Sequence, residues 1–274
     1  MRIHHALHSA KIPLIEAELL LAHVLAQDRT WIIAHENDDL EELRLHDVEQ
    51  CLERRRKGEP IAYIIGRKEF SGREFIVNPS VLIPRPSTEG LVAAVLEFIQ
   101  SHKQSVRSVD SGISVIALPF KKNIPSDLTI VDVGTGSGCI MITLALELPH
   151  ARFIATDISR AALEVASMNA KKHGVADRIQ FIQGSLLEPL RNFRSPFIVV
   201  SNPPYIPSGR DIEPGVRDFE PSSALFAGEE GMDVIRMLLE QARRHPYCSG
   251  IVLECEDEQA KRSICTNSGE VLRS

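Results

Sequence analysis

The sequence predicts an α/β protein, a parallel sheet with helices on both faces, preceded by a small helical unit. Three observations predict it. From Thr129 onward, short β-branched runs alternate with helical stretches, the pattern of parallel strands joined by crossover helices. The first of these runs ends in a glycine turn, Gly134-Thr135-Gly136-Ser137-Gly138. A later run, Phe197–Ser201, leads directly into Asn202-Pro203-Pro204-Tyr205.

The elements follow in order. Residues 1 to about 65 are expected to be helical: Glu16 to Leu25 holds strong helix formers with apolar residues at helical spacing, and Leu40 to Lys57 is a charged amphipathic stretch ending at Gly58. Ser71-Gly72 is expected to turn a hairpin between Lys68–Phe70 and Glu74–Val77, and Pro84 and Pro86 close that segment. Thr88 to Gln100 reads as a helix. Ser101 to Asp127 is polar and Ser-rich around one apolar patch, Val115 to Phe120, and reads as a long surface insertion. Strands are then expected at Thr129–Val133, Arg152–Thr156, Ile179–Gln183 and Phe197–Ser201, with helices at Cys139–Leu148 and Ala161–His173. A polar loop, a helix from Gly231 to Arg244 and a strand from Gly250 to Glu254 complete the pattern. The expected division is a helical unit at 1–66, a hairpin and linker at 67–87, and the α/β domain at 88–274 with its insertion at 101–127.

Composition narrows the class. At 274 residues and 43% hydrophobic content the chain is an ordinary globular one, and its net charge of −6 argues against a duplex-binding surface, which needs a basic excess. Nucleic acid is therefore not the expected partner. The five cysteines, Cys51, Cys139, Cys248, Cys255 and Cys265, are odd in number and scattered, with no C-x-x-C pair, so they read as reduced thiols of a cytoplasmic protein. No apolar run approaches the roughly 20 residues of a membrane helix, and Ile12–Ala26 is broken by Glu16, Glu18 and His23. Arg2 and Lys11 in an acid-free N-terminus leave a mitochondrial transit peptide as the lesser alternative. His4, His5 and His8 can share a helical face, but no carboxylate or Cys completes a metal set, and no metal is expected. Arg54-Arg55-Arg56-Lys57 reads as a solvated helix end favoured by the helix dipole, with partner docking as the other reading.

Three segments carry chemistry. Glycines directly after a strand let the backbone approach a ligand and turn into a helix N-terminus. A dinucleotide fingerprint would place its third glycine at Cys139, one residue beyond Gly138, so the spacing favours a nucleoside without a pyrophosphate. The alternative is a tight strand-to-helix turn that holds nothing. Asp157 ends the second strand about twenty residues further on, where a carboxylate can accept both ribose hydroxyls; the competing role is an N-cap, which Ser159 can also fill. Asn202-Pro203-Pro204 is rigid backbone, because neither proline has an N–H, each fixes its own φ, and the residue before a proline is pushed towards extended geometry. It aims an amide side chain and free carbonyls outward, and a planar NH2 group needs such a pair of acceptors, one per hydrogen.

At this point the residues resemble the protein-(glutamine-N5) methyltransferases that act on peptide chain release factors. The resemblance runs over most of residues 12 to 260. It rests on Glu16 to Leu25, Glu59 to Gly66, Leu82-Ile83-Pro84-Arg85-Pro86 with Thr88-Glu89, the glycine turn, Asp157-Ile158-Ser159, Met168-Asn169-Ala170, Asn202 to Ile206, and Phe219-Glu220-Pro221 with Ala224-Leu225. It implies a Rossmann-like class I S-adenosylmethionine-dependent methyltransferase domain behind a helical substrate-recognition domain. It also implies methylation of the glutamine in the Gly-Gly-Gln motif of class-1 release factors by a cytoplasmic monomer. Gly134, Thr135, Gly136, Ser137 and Gly138 would hold the methionine part of S-adenosylmethionine. Asp157 with Ile158 would hold the ribose, Ser185 and Leu186 the adenine, and Asn202, Pro203, Pro204 and Tyr205 the substrate glutamine, with Asn202 also bordering the cofactor.

The chain departs from the family pattern in four places. Ser87 stands where the family has Asp in Arg-Pro-Asp-Thr-Glu. No acid occurs in Gln183-Gly184-Ser185-Leu186, where one is expected near the adenine, and the segment 101–127 is long. The family continues beyond its Leu-Glu strand through a helix and two antiparallel strands. Here Leu253-Glu254 to Ala260 is followed by fourteen residues that read as polar and irregular, so the final strands are expected to be missing. Two further readings stand beside the first: an N6-adenine methyltransferase, because the same turn can grip an exocyclic NH2, and a non-catalytic cofactor- or protein-binding remnant, because of the short C-terminus.

Overall fold

The structure, a computed structural model, describes residues 2–121 and 128–267. The chain divides into two compact units, Met1–Arg67 with Ile212–Phe219, and Lys68–Asp211 with Glu220–Ser274.

The first unit is helical: α1 (Ile3–Ser9), α2 (Leu14–Leu25), α3 (Arg29–Ala34), α4 (Glu42–Arg56) and α5 (Ile61–Ile65). In α2, Ala17, Leu20 and Leu21 fall at i, i+3 and i+4 and pack with Ile32, Val48, Leu52 and Ile64 into one apolar cluster. The basic run at the end of α4 is paired within the unit. Arg55 donates from Nε and Nη2 to the Glu16 carboxylate at 2.7 and 2.9 Å, which ties α4 to α2. Arg54 pairs with Glu59, Arg56 with Glu49, and Lys57 with Glu53. Arg55 is thus a staple between two helices, while Arg54, Arg56 and Lys57 pair with carboxylates on α4 or just beyond it at a largely solvated helix end.

The second unit opens with a hairpin, β1 (Arg67–Phe70) and β2 (Arg73–Ile76), and then α6 (Glu89–Ser101). Next come β3 (Ser105–Asp110), β4 (Ile113–Pro119), β5 (Thr129–Val133), α7 (Cys139–Glu147), β6 (Arg152–Asp157), α8 (Arg160–Lys172), β7 (Ile179–Gln183) and β8 (Phe197–Ser201). After α9 (Pro214–Phe219), which falls in the first unit, follow α10 (Asp233–Arg244), β9 (Cys248–Glu256) and α11 (Asp257–Asn267). The sheet has seven strands in the order β3-β4-β9-β8-β5-β6-β7. Strands β9 through β7 run parallel, and β4 pairs antiparallel with both β9 and β3.

The period of two sorts the strand residues between two cores. Val115, Ala117, Ile130, Ile198 and Val200 face Leu91, Val95 and Phe98 of α6 and Met141 and Leu144 of α7. Ile116, Leu118, Val131, Val199 and Leu253 face Ile235, Leu238 and Leu239 of α10. A strand buried on both faces reads as a continuous apolar run rather than an alternating one.

One expectation fails here for that reason. The segment expected as a surface insertion is the β3–β4 hairpin of the main sheet; its residues 122–127 lie outside the described residues. The apolar patch at 115–120 is a strand covered on both faces. The polar residues before it form an edge strand, which solvent permits and negative selection against edge-to-edge association favours. Among the described residues no strand follows β9, and β4 with β3 lies along its side away from β8. The end of the chain is also not irregular throughout, since Asp257–Asn267 is a helix that buries Gln259, Ala260 and Ser263. Its few apolar positions, Ala260 and Ile264 four apart, are outweighed by charge in the sequence. Residues 268–274 lie outside the described residues.

Candidate functional site

β5 is the strand at which the sheet order reverses, with β6 and β7 on one side and β8 and β9 on the other. Ligands of open α/β sheets bind at such a point, outside the carboxyl ends of the strands. A cavity of about 350 Å³ opens there, walled by the turns that follow β5, β6, β7 and β8.

The turn after β5 is shaped by its glycines. Gly136 has φ 54, a left-handed value unfavourable for other residues, and its N–H donates to Asp157 Oδ2 at 2.9 Å. Gly138, at φ 80, caps α7, and a Cβ there would stand 3.1 Å from the Cβ of Ala166. Glycine therefore lets α7 and α8 close on each other. Asn169, fully buried on α8, pins the turn by donating to the Ser137 carbonyl at 2.8 Å. The same amide brackets β2, accepting from Ile76 N–H at 2.7 Å and donating to Ile76 O at 2.9 Å.

Two carboxyl groups stand behind and beside the turn. Asp157 also accepts from Ser159 N–H at 2.9 Å, while Ser159 Oγ takes the Ala162 N–H at 3.2 Å and caps α8. Capping thus falls to Ser159, and Asp157 faces the cavity. Burial pushes the Asp157 carboxyl up, against the opposing pull of the Gly136 and Ser159 N–H groups. Asp132 is wholly buried in β5, with Oδ2 taking the Thr135 hydroxyl at 2.7 Å and Oδ1 without a hydrogen-bond partner among the described residues. Burial pushes it up to about 7; the Thr135 hydrogen bond opposes this and the charge of Asp157 adds to it.

Across the cavity, Ser201 Oγ donates to Val133 O at 2.7 Å and locks the end of β8 to β5. Asn202 Nδ2 donates to Thr88 Oγ1 at 3.0 Å. Neither Asn202 Oδ1 nor the Pro203 carbonyl accepts a hydrogen bond from another described residue. Tyr205 does not line the cavity; its hydroxyl donates to Glu254 Oε1 at 3.3 Å, and its carbonyl accepts from Gln259 Nε2 at 2.8 Å. Burial, then the neighbouring Glu254, raises the Tyr205 hydroxyl. In the turn after β7, Leu186 holds φ 48, its carbonyl taken by the Thr156 hydroxyl at 3.3 Å.

Residues 2–66 match the family described as PrmC N-terminal domain, and residues 100–217 match the methyltransferase small domain. A bifunctional methyltransferase of Rickettsia bellii is 41% identical over 256 residues, 90% of this chain and 46% of the relative. A release factor glutamine methyltransferase of Nitratidesulfovibrio vulgaris is 38% identical over 243 residues, 88% of this chain and 74% of the relative. The chain belongs to the release factor glutamine methyltransferase family. A further relative of that name, from Koribacter versatilis, is 38% identical over 235 residues, 85% of this chain and 75% of the relative. The chain spans about half the length of the Rickettsia relatives.

The α/β unit of this family member thus holds most of the segment that matches the methyltransferase small domain, on a seven-stranded sheet. Gly134 to Ser137, Asp157, Ile158, Ser185, Leu186 and Asn202 to Pro204 come together at the cavity, whereas Gly138 and Tyr205 support it without lining it. Sequence reasoning missed Arg85 and Thr88, which also line it. Arg85 is held by buried Glu220, which receives its Nη2 at 2.5 Å and the Ile83 N–H at 3.1 Å. Their only signal was the string Arg85-Pro86-Ser87-Thr88-Glu89, which lies over a hundred residues from the turn it meets. Among the described residues, no helix is long and apolar enough to cross a membrane.

Proposed function

We propose that this chain transfers a methyl group from S-adenosylmethionine to the side-chain amide nitrogen of the glutamine in the Gly-Gly-Gln motif of class-1 peptide chain release factors. The observation that carries the reading is the pair of open acceptors at the cavity, Asn202 Oδ1 and the Pro203 carbonyl, with the donor end of the Asn202 amide already engaged by Thr88.

The residues fit the cofactor. A ligand-sized cavity has the bare backbone of the glycine turn on one wall and the Asp157 carboxylate on another. Gly134 to Ser137 would take the methionine part, Asp157 the ribose hydroxyls, and Ile158, Ser185 and Leu186 the adenine. Bound there, the cofactor supplies an electrophilic methyl group on a positively charged sulfur.

An amide nitrogen is a poor nucleophile, because its lone pair is delocalised into the carbonyl. Asn202 Oδ1 accepts one amide hydrogen and the Pro203 carbonyl the other, which holds the nitrogen in a single orientation, and one of these two protons passes to solvent as the nitrogen gains the methyl group. Such fixed placement can lower a barrier by on the order of 7 to 11 kcal/mol at best. Pro203 and Pro204 keep the acceptors from relaxing, since their φ angles are fixed by their rings. The helical unit contributes to gripping the release factor, and the enzyme acts in the cytoplasm as a monomer.

The test is incubation of the full chain with S-adenosylmethionine and a class-1 release factor, or with DNA or RNA, followed by mass spectrometry. Methyl gain on the Gly-Gly-Gln glutamine supports the proposal. Methyl gain on adenine instead, or on neither substrate, overturns it.

A further inference from the structure

A side-chain amide has two ends of nearly the same shape and opposite hydrogen-bonding character. Turned by half a rotation, Asn202 would present NH2 to the cavity and repel the very NH2 group it is proposed to grip. The residues behind it decide which end faces out.

Two groups stand there. Thr88, 2% exposed at the start of α6, accepts from Asn202 Nδ2 at 3.0 Å. Glu254 is fully buried on β9, opposite Val115 in the ladder with β4. Its Oε1 takes the Tyr205 hydroxyl, and its Oε2 has no hydrogen-bond partner among the described residues. A carboxylate only accepts, and a threonine hydroxyl has one hydrogen to give. The Glu254 carboxylate, which the Thr88 side chain helps to stabilise, draws that hydrogen, and Thr88 then offers Asn202 a lone pair. Only the NH2 end of the amide matches a lone pair backed by a carboxylate.

We propose that Thr88 and Glu254 are positioning residues that fix the Asn202 amide, turning Oδ1 towards the cavity as an acceptor. The proposal rests on the reading of Asn202 as the acceptor for the substrate amide. The environment of Glu254 agrees with it: burial raises the carboxyl, and the side chains of Thr88, Tyr205 and Asn202 oppose that rise as donors, while Asp110 adds to it. Departure from the family string at Ser87 leaves Thr88 in place.

The experiment compares Thr88→Val, Thr88→Ser and Glu254→Gln in the full chain. Thr88→Val keeps the shape and removes the hydroxyl. Its kcat on the release factor is expected to fall about tenfold or more, the effect of one orienting hydrogen bond on a rate. Cofactor affinity and melting temperature hold, and Thr88→Ser recovers most of the rate. Glu254→Gln brings a donor behind the hydroxyl and also lowers kcat, and the double variant loses less than the two single losses combined, because both act on one amide. The proposal is overturned if Thr88→Val keeps wild-type kcat, or if Thr88→Ser is as impaired as Thr88→Val. A second readout needs no substrate: the Asn202 side-chain NH2 signals in 15N spectra, assigned with Asn202→Ala. They shift in Thr88→Val if the hydroxyl holds the amide, and identical signals sink the idea. Should the wild type methylate no release factor, the proposed substrate fails, and these spectra still decide the role of Thr88.

Discussion

Ile116 lies directly across the ladder from Leu253, near the centre of the antiparallel pairing of β4 with β9. Both side chains are fully buried in the cluster beneath α10. β9 therefore depends on a strand that precedes it by more than a hundred residues, and the hairpin at 105–119 is core rather than ornament. Ile116→Ala should destabilise the domain by about 2 to 5 kcal/mol, the usual cost of such a cavity. Urea unfolding measures this. A loss near zero would mean that β4 does not pack on β9.

Asp157 is expected to govern cofactor affinity. Asp157→Ala should weaken S-adenosylmethionine binding by roughly 10- to 100-fold, as two hydrogen bonds to a charged acceptor are lost. Calorimetry with an unchanged dissociation constant would remove Asp157 from the ribose role.

The same carboxyl should make binding depend on pH. Burial raises it above the ordinary aspartate value of 3.8, and the ribose hydroxyls need the ionised form as acceptor. Affinity is thus full above the raised pKa and is lost as pH falls through it, so the acid loss begins at a higher pH than for an unperturbed aspartate. Titration of the dissociation constant against pH checks this, with Asp157→Asn lacking the transition.

Asn202→Ala should separate chemistry from binding. Removing the acceptor is expected to lower kcat by about 10²-fold or more, in line with the loss of one preorganised hydrogen-bonding group at a reacting centre. Cofactor affinity should change little. A variant with near-normal turnover on a release factor would contradict the role given to Asn202.

Asp132 should make stability fall as pH rises. Its carboxyl takes up a proton at about 7 in the folded protein, against 3.8 as the reference value. Between those values the folded state holds more protons than the unfolded one. Its contribution is fully present below pH 3.8 and lost as pH rises through 7, by about 4 kcal/mol at most. Asp132→Asn should flatten that part of the profile, seen as a smaller difference between unfolding free energies at pH 4 and pH 7.

Much of this protein was legible in the sequence because its strongest signals are local. β5, β7 and β8 fall where β-branched runs stop at turns, and Gly136 and Gly138 mark backbone that only glycine adopts easily. Asn202-Pro203-Pro204 is stiff for reasons internal to three residues. What sequence could not give is whatever depends on a distant partner. The polar segment with Ser105 and Arg107 became a strand only because β4 lies beside it, and β4 itself is a core strand only because β9 and two layers of helices cover it. Likewise Thr88 acquires a purpose from Asn202, and Glu254 from Tyr205. Turn chemistry and periodicity are written into neighbouring residues, whereas strand pairing and the facing of one side chain to another are settled by the packing of the whole sheet.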